Sequence, residues 1–172
     1  MLPGTNQIVN MKQTIMKNVG LMLIDKKLTI AFAESATAGW ICAEFSLIED
    51  AGKFLKGGIA CYDACIKEDL LKVDPRLVED FTPESMEVTK AITEGLTSMI
   101  SADIHIGVTG LACPGGSETP EKPVGTMFIY ALHKGKLAFS ERMNFLGSHE
   151  TIVSETVNRC AKLLQEYLES IN

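Results

Sequence analysis

Apolar residues return along this chain in two rhythms, a spacing near 3.6 residues and short runs of β-formers, and their alternation predicts the elements. From Asn6 onward Ile8, Met11, Ile15, Val19 and Met22 recur at helical spacing, an amphipathic helix that Gly20 only weakens, after a frayed start at Met1–Thr5. Leu28–Ala33 is a strand-like run, followed by small and hydroxylated residues and then by Trp40, Ile41, Ala43, Phe45 and Leu47. That order reads as strand, tight turn and helix, with Glu49 to Gly52 closing the helix. Gly57-Gly58 opens a second strand, Ile59–Tyr62, and after Asp63 to Lys67 the run Glu68-Asp69-Leu70-Leu71 predicts a short helix with Lys67 near its start. At Thr82-Pro83-Glu84, a threonine cap, a proline in the first helical position and a carboxylate at the positive end predict a long helix to Ile100. Val88, Ala91, Ile92, Leu96 and Met99 supply its inward stripe. A third strand covers Ile104–Thr109, and Met127–Leu132 with Leu137–Asn144 predicts a hairpin through His133-Lys134-Gly135-Lys136. A last amphipathic helix covers His149–Leu168.

Helices and strands so interleaved predict an α/β fold with helices on both faces of a mixed sheet. A chain of 172 residues suits one domain, 1–172, with a single core. No run approaches the ~18 apolar residues of a membrane span. The N-terminus lacks the basic, apolar and small-residue order of a signal peptide, which makes a cytoplasmic address the default. A net charge of -6 with no basic block argues against a phosphate-tracking nucleic-acid surface and for a small-molecule partner. The five cysteines are an odd number spread over predicted core elements, as buried thiols in a reducing compartment are, and Cys61 and Cys65 lack the second pair or histidine of a zinc site.

The turn after the first strand carries the first candidate chemistry. In open α/β sheets ligands bind at the carboxyl ends of strands, where helix N-termini present free N–H groups and partial positive charge. Ser35 and Thr37 fall there, and capping of the helix by either is the plain alternative. An ammonium at the start of a helix is disfavoured by the helix field, so Lys67 invites a reason, against the plain alternative of a solvated lysine. Cys113, beside Pro114 and glycines, is a further nucleophile to weigh. His105 reads as a satisfied strand residue and His133 as an exposed turn residue. Between Gly110 and Thr126 four glycines and three prolines make a shaped loop able to bring backbone amides to an anion, although no P-loop or dinucleotide fingerprint is present. If the first three strands run parallel, Ser35, Tyr62, Lys67, Thr109 and this loop converge on one sheet edge.

Three stretches in this order, AESATAGW at Ala33–Trp40, GGIACYDACIKEDLL at Gly57–Leu71 and VTGLACPGGSETPEKPVGT at Val108–Thr126, resemble the C-terminal domain of the competence/damage-inducible protein CinA, the nicotinamide-nucleotide amidase family. The resemblance implies a three-layer α/β/α sandwich with a mixed, mostly parallel sheet, assembly as homo-oligomers, and hydrolysis of nicotinamide mononucleotide to nicotinic acid mononucleotide and ammonia without metal or cofactor. It also implies a stand-alone form, since the molybdopterin-binding-like domain of full-length relatives would precede this chain. The family's serine, tyrosine and lysine fall on Ser35 as nucleophile, Lys67 as base and Tyr62 as assistant. Thr37, Gly39, Thr109, Gly110, Gly115, Gly116, Ser117 and His149 fall at substrate-binding positions.

Departures from the family pattern are Ala36 and Ala38 in its AESCTGG turn, Ala64 for an asparagine, Cys113 for a glycine, and a glycine loop one residue longer. Where relatives carry arginines at the start of the last helix this chain has Ser148, His149, Val153 and Ser154, a loss of charge-assisted phosphate contact of ~1.5–3 kcal/mol. A relative that binds a nucleotide without hydrolysing it, or an amidase for a substrate lacking phosphate, are the readings these departures motivate.

Overall fold

The computed structural model describes residues 5–171, with side chains from residue 14 onward. Its elements are α1 (Thr5–Asp25), β1 (Ile30–Glu34), α2 (Trp40–Ser46), a 3-10 turn (Ala51–Lys53), β2 (Leu55–Ala60), α3 (Ala64–Asp69), α4 (Pro75–Phe81), α5 (Met86–Met99), β3 (Ile104–Gly110), β4 (Thr126–His133), β5 (Lys136–Asn144) and α6 (His149–Ser170). The start expected to fray lies outside the described residues, except Thr5, which begins α1. The side chains of Ile8 and Met11 lie outside them too.

The sheet order is β2-β1-β3-β4-β5. β1 pairs in parallel with β2 and β3, while β3 with β4 and β4 with β5 are antiparallel. The sheet is therefore mixed, and the carboxyl ends of its three parallel strands share one edge. Alternation decides which core each side chain joins. Ile30, Phe32, Ile104, Ile106 and Val108 pack with α1, α2 and α6 on one face. Ala31 and Ala33 pack on the other with Cys61, Leu71 and the Val88, Ile92 and Leu96 stripe of α5. The small residues on this second face let α5 lie close. A Cβ on Gly107 would stand 2.1 Å from Thr93 Oγ1 and 2.8 Å from the Thr89 carbonyl. No described helix is long and apolar enough to cross a membrane.

Several boundaries differ from the sequence expectation. Asp74-Pro75 starts a separate helix, α4, with the aspartate accepting from Arg76 N and proline in the first turn. Thr82 then takes φ +68° at its C-terminal end, so α5 starts later and is capped by Ser85, whose hydroxyl accepts from Val88 N at 3.2 Å. Met99 is exposed rather than inward. β2 begins at Leu55 and ends before Tyr62, with Gly57 and Gly58 inside it. Lys67 lies in the last turn of α3, not at its start, so the helix field is not what opposes its charge. The hairpin turn is formed by Lys134 and Gly135, both at positive φ, the geometry that continues strand twist across two residues. His133 is not an exposed turn residue: it ends β4 half-buried, its Nδ1 2.7 Å from Tyr167 Oη. Nor are all the thiols buried, since Cys65 is exposed on α3.

Candidate active site

At the shared carboxyl edge the strands open onto a cavity of about 320 Å³ lined by Ser35, Ala36, Tyr62, Glu84 and the loop from Gly110 to Gly116. Ser35 follows β1 directly, held by its own N–H on the Val108 carbonyl of β3 at 2.9 Å. Its side chain is buried, and among the described residues its hydroxyl has no hydrogen-bond partner. The N–H groups of Ala36 and Thr37 are likewise free of protein acceptors among the described residues. An unpartnered hydroxyl on the cavity wall beside two unpaired amides is the arrangement a nucleophile with an oxyanion site requires, and it is not the arrangement of a helix cap.

The cap of α2 comes from the residue before. Glu34 is buried, and its carboxylate accepts from Thr37 Oγ1 (2.7 Å), Gly39 N (3.1 Å), Ile41 N (3.0 Å) and Cys42 N (2.8 Å). An anion on the N-terminal amides of a helix is where the helix field favours it. Thr37 and Gly39, expected to meet substrate, thus have these donors committed to Glu34. Gly39 takes φ +97° and Ala38 φ +49°, so the turn keeps a left-handed pair although its first member is not glycine.

Lys67 is fully buried, and its Nζ donates to the backbone carbonyl of Tyr62 at 3.1 Å. Burial pushes its amine below the usual lysine range, with Cys61, Glu84 and Asp63 drawing it back. The Cys61 thiol beside it is pushed up to about 11, chiefly by burial. Lys67 makes no hydrogen bond to Ser35, and the Tyr62 ring is exposed with its hydroxyl bonded to neither. Tyr62 therefore serves Lys67 through its backbone carbonyl and is also one of the residues lining the cavity.

The other expected contacts divide in the same way. Gly110, Gly115 and Gly116 line the cavity. Thr109 is buried against α5, its hydroxyl 2.7 Å from that of Thr89. The Ser117 hydroxyl donates to Glu84 Oε2 at 2.5 Å and accepts from Lys122 Nζ at 2.7 Å. His149, exposed on the first turn of α6, is not among the lining residues.

A family model described as the CinA C-terminal domain matches residues 12–168. The chain belongs to the CinA C-terminal domain family. A relative in Desulforamulus reducens is 37% identical over 151 residues, 88% of this chain and 36% of that protein. The "CinA-like protein" of Desulfotalea psychrophila is 33% identical over 157 residues, 91% of this chain and 38% of its own length. The chain thus spans about a third of the length of these relatives. Among solved structures, the competence damage-inducible protein A of Klebsiella pneumoniae superposes with a TM-score of 0.88 at 26% identity, covering 94% of this chain and 99% of that one.

Within this CinA-type domain, reasoning from sequence missed Glu34, Glu84 and Lys122. Lys122 Nζ donates to Thr82 Oγ1 (2.5 Å), the Glu84 carbonyl (2.9 Å) and Ser117 Oγ (2.7 Å). The glycine loop is thereby pinned to the start of α5. Glu34 and Glu84 carried a readable signal, a carboxylate ahead of a helix start, while Lys122 carried none.

Proposed function

We propose that the chain is an amidohydrolase of a pyridine carboxamide, with nicotinamide mononucleotide, the substrate implied by the family resemblance, as the first compound to test. The observation that carries the reading is the unpartnered Ser35 hydroxyl on the cavity wall beside the free Ala36 and Thr37 amides. Ser35 Oγ attacks the carboxamide carbon while its proton passes to the neutral amine of Lys67, which burial favours. Apo geometry commonly leaves such a contact long until substrate is bound. The two amides receive the developing oxyanion, and the C–N bond breaks as Lys67 returns the proton to nitrogen, so ammonia leaves and an ester remains on Ser35. Water then adds to the ester carbon, its proton going to Lys67 and on to Ser35 Oγ, which releases the carboxylic acid.

Ser35→Ala is expected to lower ammonia release by about a thousandfold or more with the melting temperature unchanged. An undiminished rate in that variant sinks the proposal. A second reading, nucleotide binding without hydrolysis, is favoured by the absence of a Ser35–Lys67 hydrogen bond. Calorimetric binding of the mononucleotide with no ammonia released by the unmodified protein would select it.

A further inference from the structure

The glycine loop already holds an anion of its own. Glu118 folds back so that Oε1 accepts from Gly115 N at 2.9 Å, and Gly115 and Gly116 line the Ser35 cavity. Gly115 takes φ +100°, the left-handed geometry that lets successive amides converge on one acceptor. The amides of Gly115, Gly116 and Glu118 itself hold this carboxyl below the usual range, so it is ionised at neutral pH. The hydroxyls expected to bind a phosphate are engaged inside the protein: Ser117 donates to Glu84 and Thr109 bonds Thr89. The charged side chain among the lining residues is Glu84, also an anion. Lys122, the cation beside the loop, has its donors on Thr82, Glu84 and Ser117.

We propose that Glu118 is a built-in competitor for the substrate's phosphate and sets how the cavity ranks a pyridinium carboxamide riboside against its 5′-phosphate, a specificity role that rests on the carboxamide reading of the cavity. Its carboxylate occupies the Gly115 amide that a phosphate monoester would otherwise take. A riboside carries no group that needs that amide and leaves Glu118 in place. The mononucleotide must displace it, and the released carboxylate, tethered a few residues away, still repels the phosphate. Because Glu118 is exposed, displacement costs only its hydrogen bonds and this repulsion, and the discrimination is modest, about fivefold.

Calorimetry with nicotinamide riboside and nicotinamide mononucleotide, on the unmodified protein and on Glu118→Gln and Glu118→Ala, tests this, with ammonia release followed in parallel. The ratio of the mononucleotide Kd to the riboside Kd is expected to fall about fivefold in both variants. A ratio that moves by less than about twofold in both, or failure of every protein to bind the mononucleotide, overturns the role of Glu118. A shifted ratio with no ammonia from any protein keeps that role and removes the amidase reading. Ammonia release with an unmoved ratio does the reverse.

Discussion

Lys67 donates its Nζ proton to the carbonyl of Tyr62 at 3.1 Å, and this is the hydrogen bond that holds a fully buried amine. With one hydrogen-bond partner among the described residues, a neutral carbonyl, the charged form is poorly served, and burial lowers its pKa from the usual lysine value. Between that lowered value and about 10.4, the unfolded chain binds a proton that the folded chain has released, so stability rises with pH across this window. Below the window both states are charged and the burial cost is felt in full. Lys67→Met is therefore expected to stabilise the protein at pH 7 by about 1 kcal/mol and to flatten the alkaline rise, seen in urea unfolding at pH 7 and 10. The same variant is expected to lose ammonia release, which in the unmodified protein climbs with pH through the lowered Lys67 value.

Glu34 gathers four donors, three of them backbone N–H groups at the start of α2. Truncation leaves those donors without their acceptor, the Thr37 hydroxyl and Ile41 amide buried, and removes the anion from the helix field. Glu34→Ala is expected to cost about 2–4 kcal/mol in urea unfolding. Glu34→Gln keeps the shape but offers one acceptor oxygen and an opposed NH2 group, and should cost roughly half as much. Both variants release the turn that carries Ser35, so ammonia release should fall in Glu34→Gln even where folding is retained.

Ala38 sits at φ +49°, between Ser35 and Gly39, the residue before α2. A Cβ in the left-handed region costs about 1 kcal/mol, which glycine avoids, although glycine also gives the unfolded chain more freedom. Ala38→Gly is expected to raise stability by about 0.5 kcal/mol with the turn unchanged, read as an upward shift in thermal midpoint. A fall in stability would mean that the entropy of the unfolded chain outweighs the relief of strain.

The strand, turn and helix around Ser35 were legible in the sequence because a β-rich run ends where Trp40, Ile41 and Phe45 begin a helical rhythm, and periodicity reports such changes directly. That Tyr62 and Gly110 line one cavity with Ser35 followed from parallel strands, whereas Lys67 is not among the lining residues. α4 was missed although Asp74-Pro75 is a readable start, because its seven residues are too few to show a period. The burial of Lys67 was not legible. It is set by tertiary packing around α3, which local spacing does not report. Thr109 was placed correctly along its strand, but its hydroxyl turned to Thr89, since strand alternation gives the face and not the partner.

Lys122 ties the glycine loop to α5 through partners distant in sequence, Thr82 and Glu84, as well as through Ser117. The attachment fixes the loop wall of the cavity relative to Ser35 without placing Lys122 on that wall. Lys122→Met keeps the aliphatic stem and removes all three donated bonds, leaving the Glu84 carbonyl and Thr82 hydroxyl to water. The cost to stability should be small, about 1 kcal/mol, because the amine is only partly buried and water can replace it. The cost to substrate binding should be larger, since a loop free to sample other positions must be ordered each time substrate binds. KM for the carboxamide is expected to rise about tenfold while kcat changes by less than about threefold, because the groups proposed to do the chemistry at Ser35 are left in place. Equal losses in both constants would instead place the Lys122 network in the chemical step.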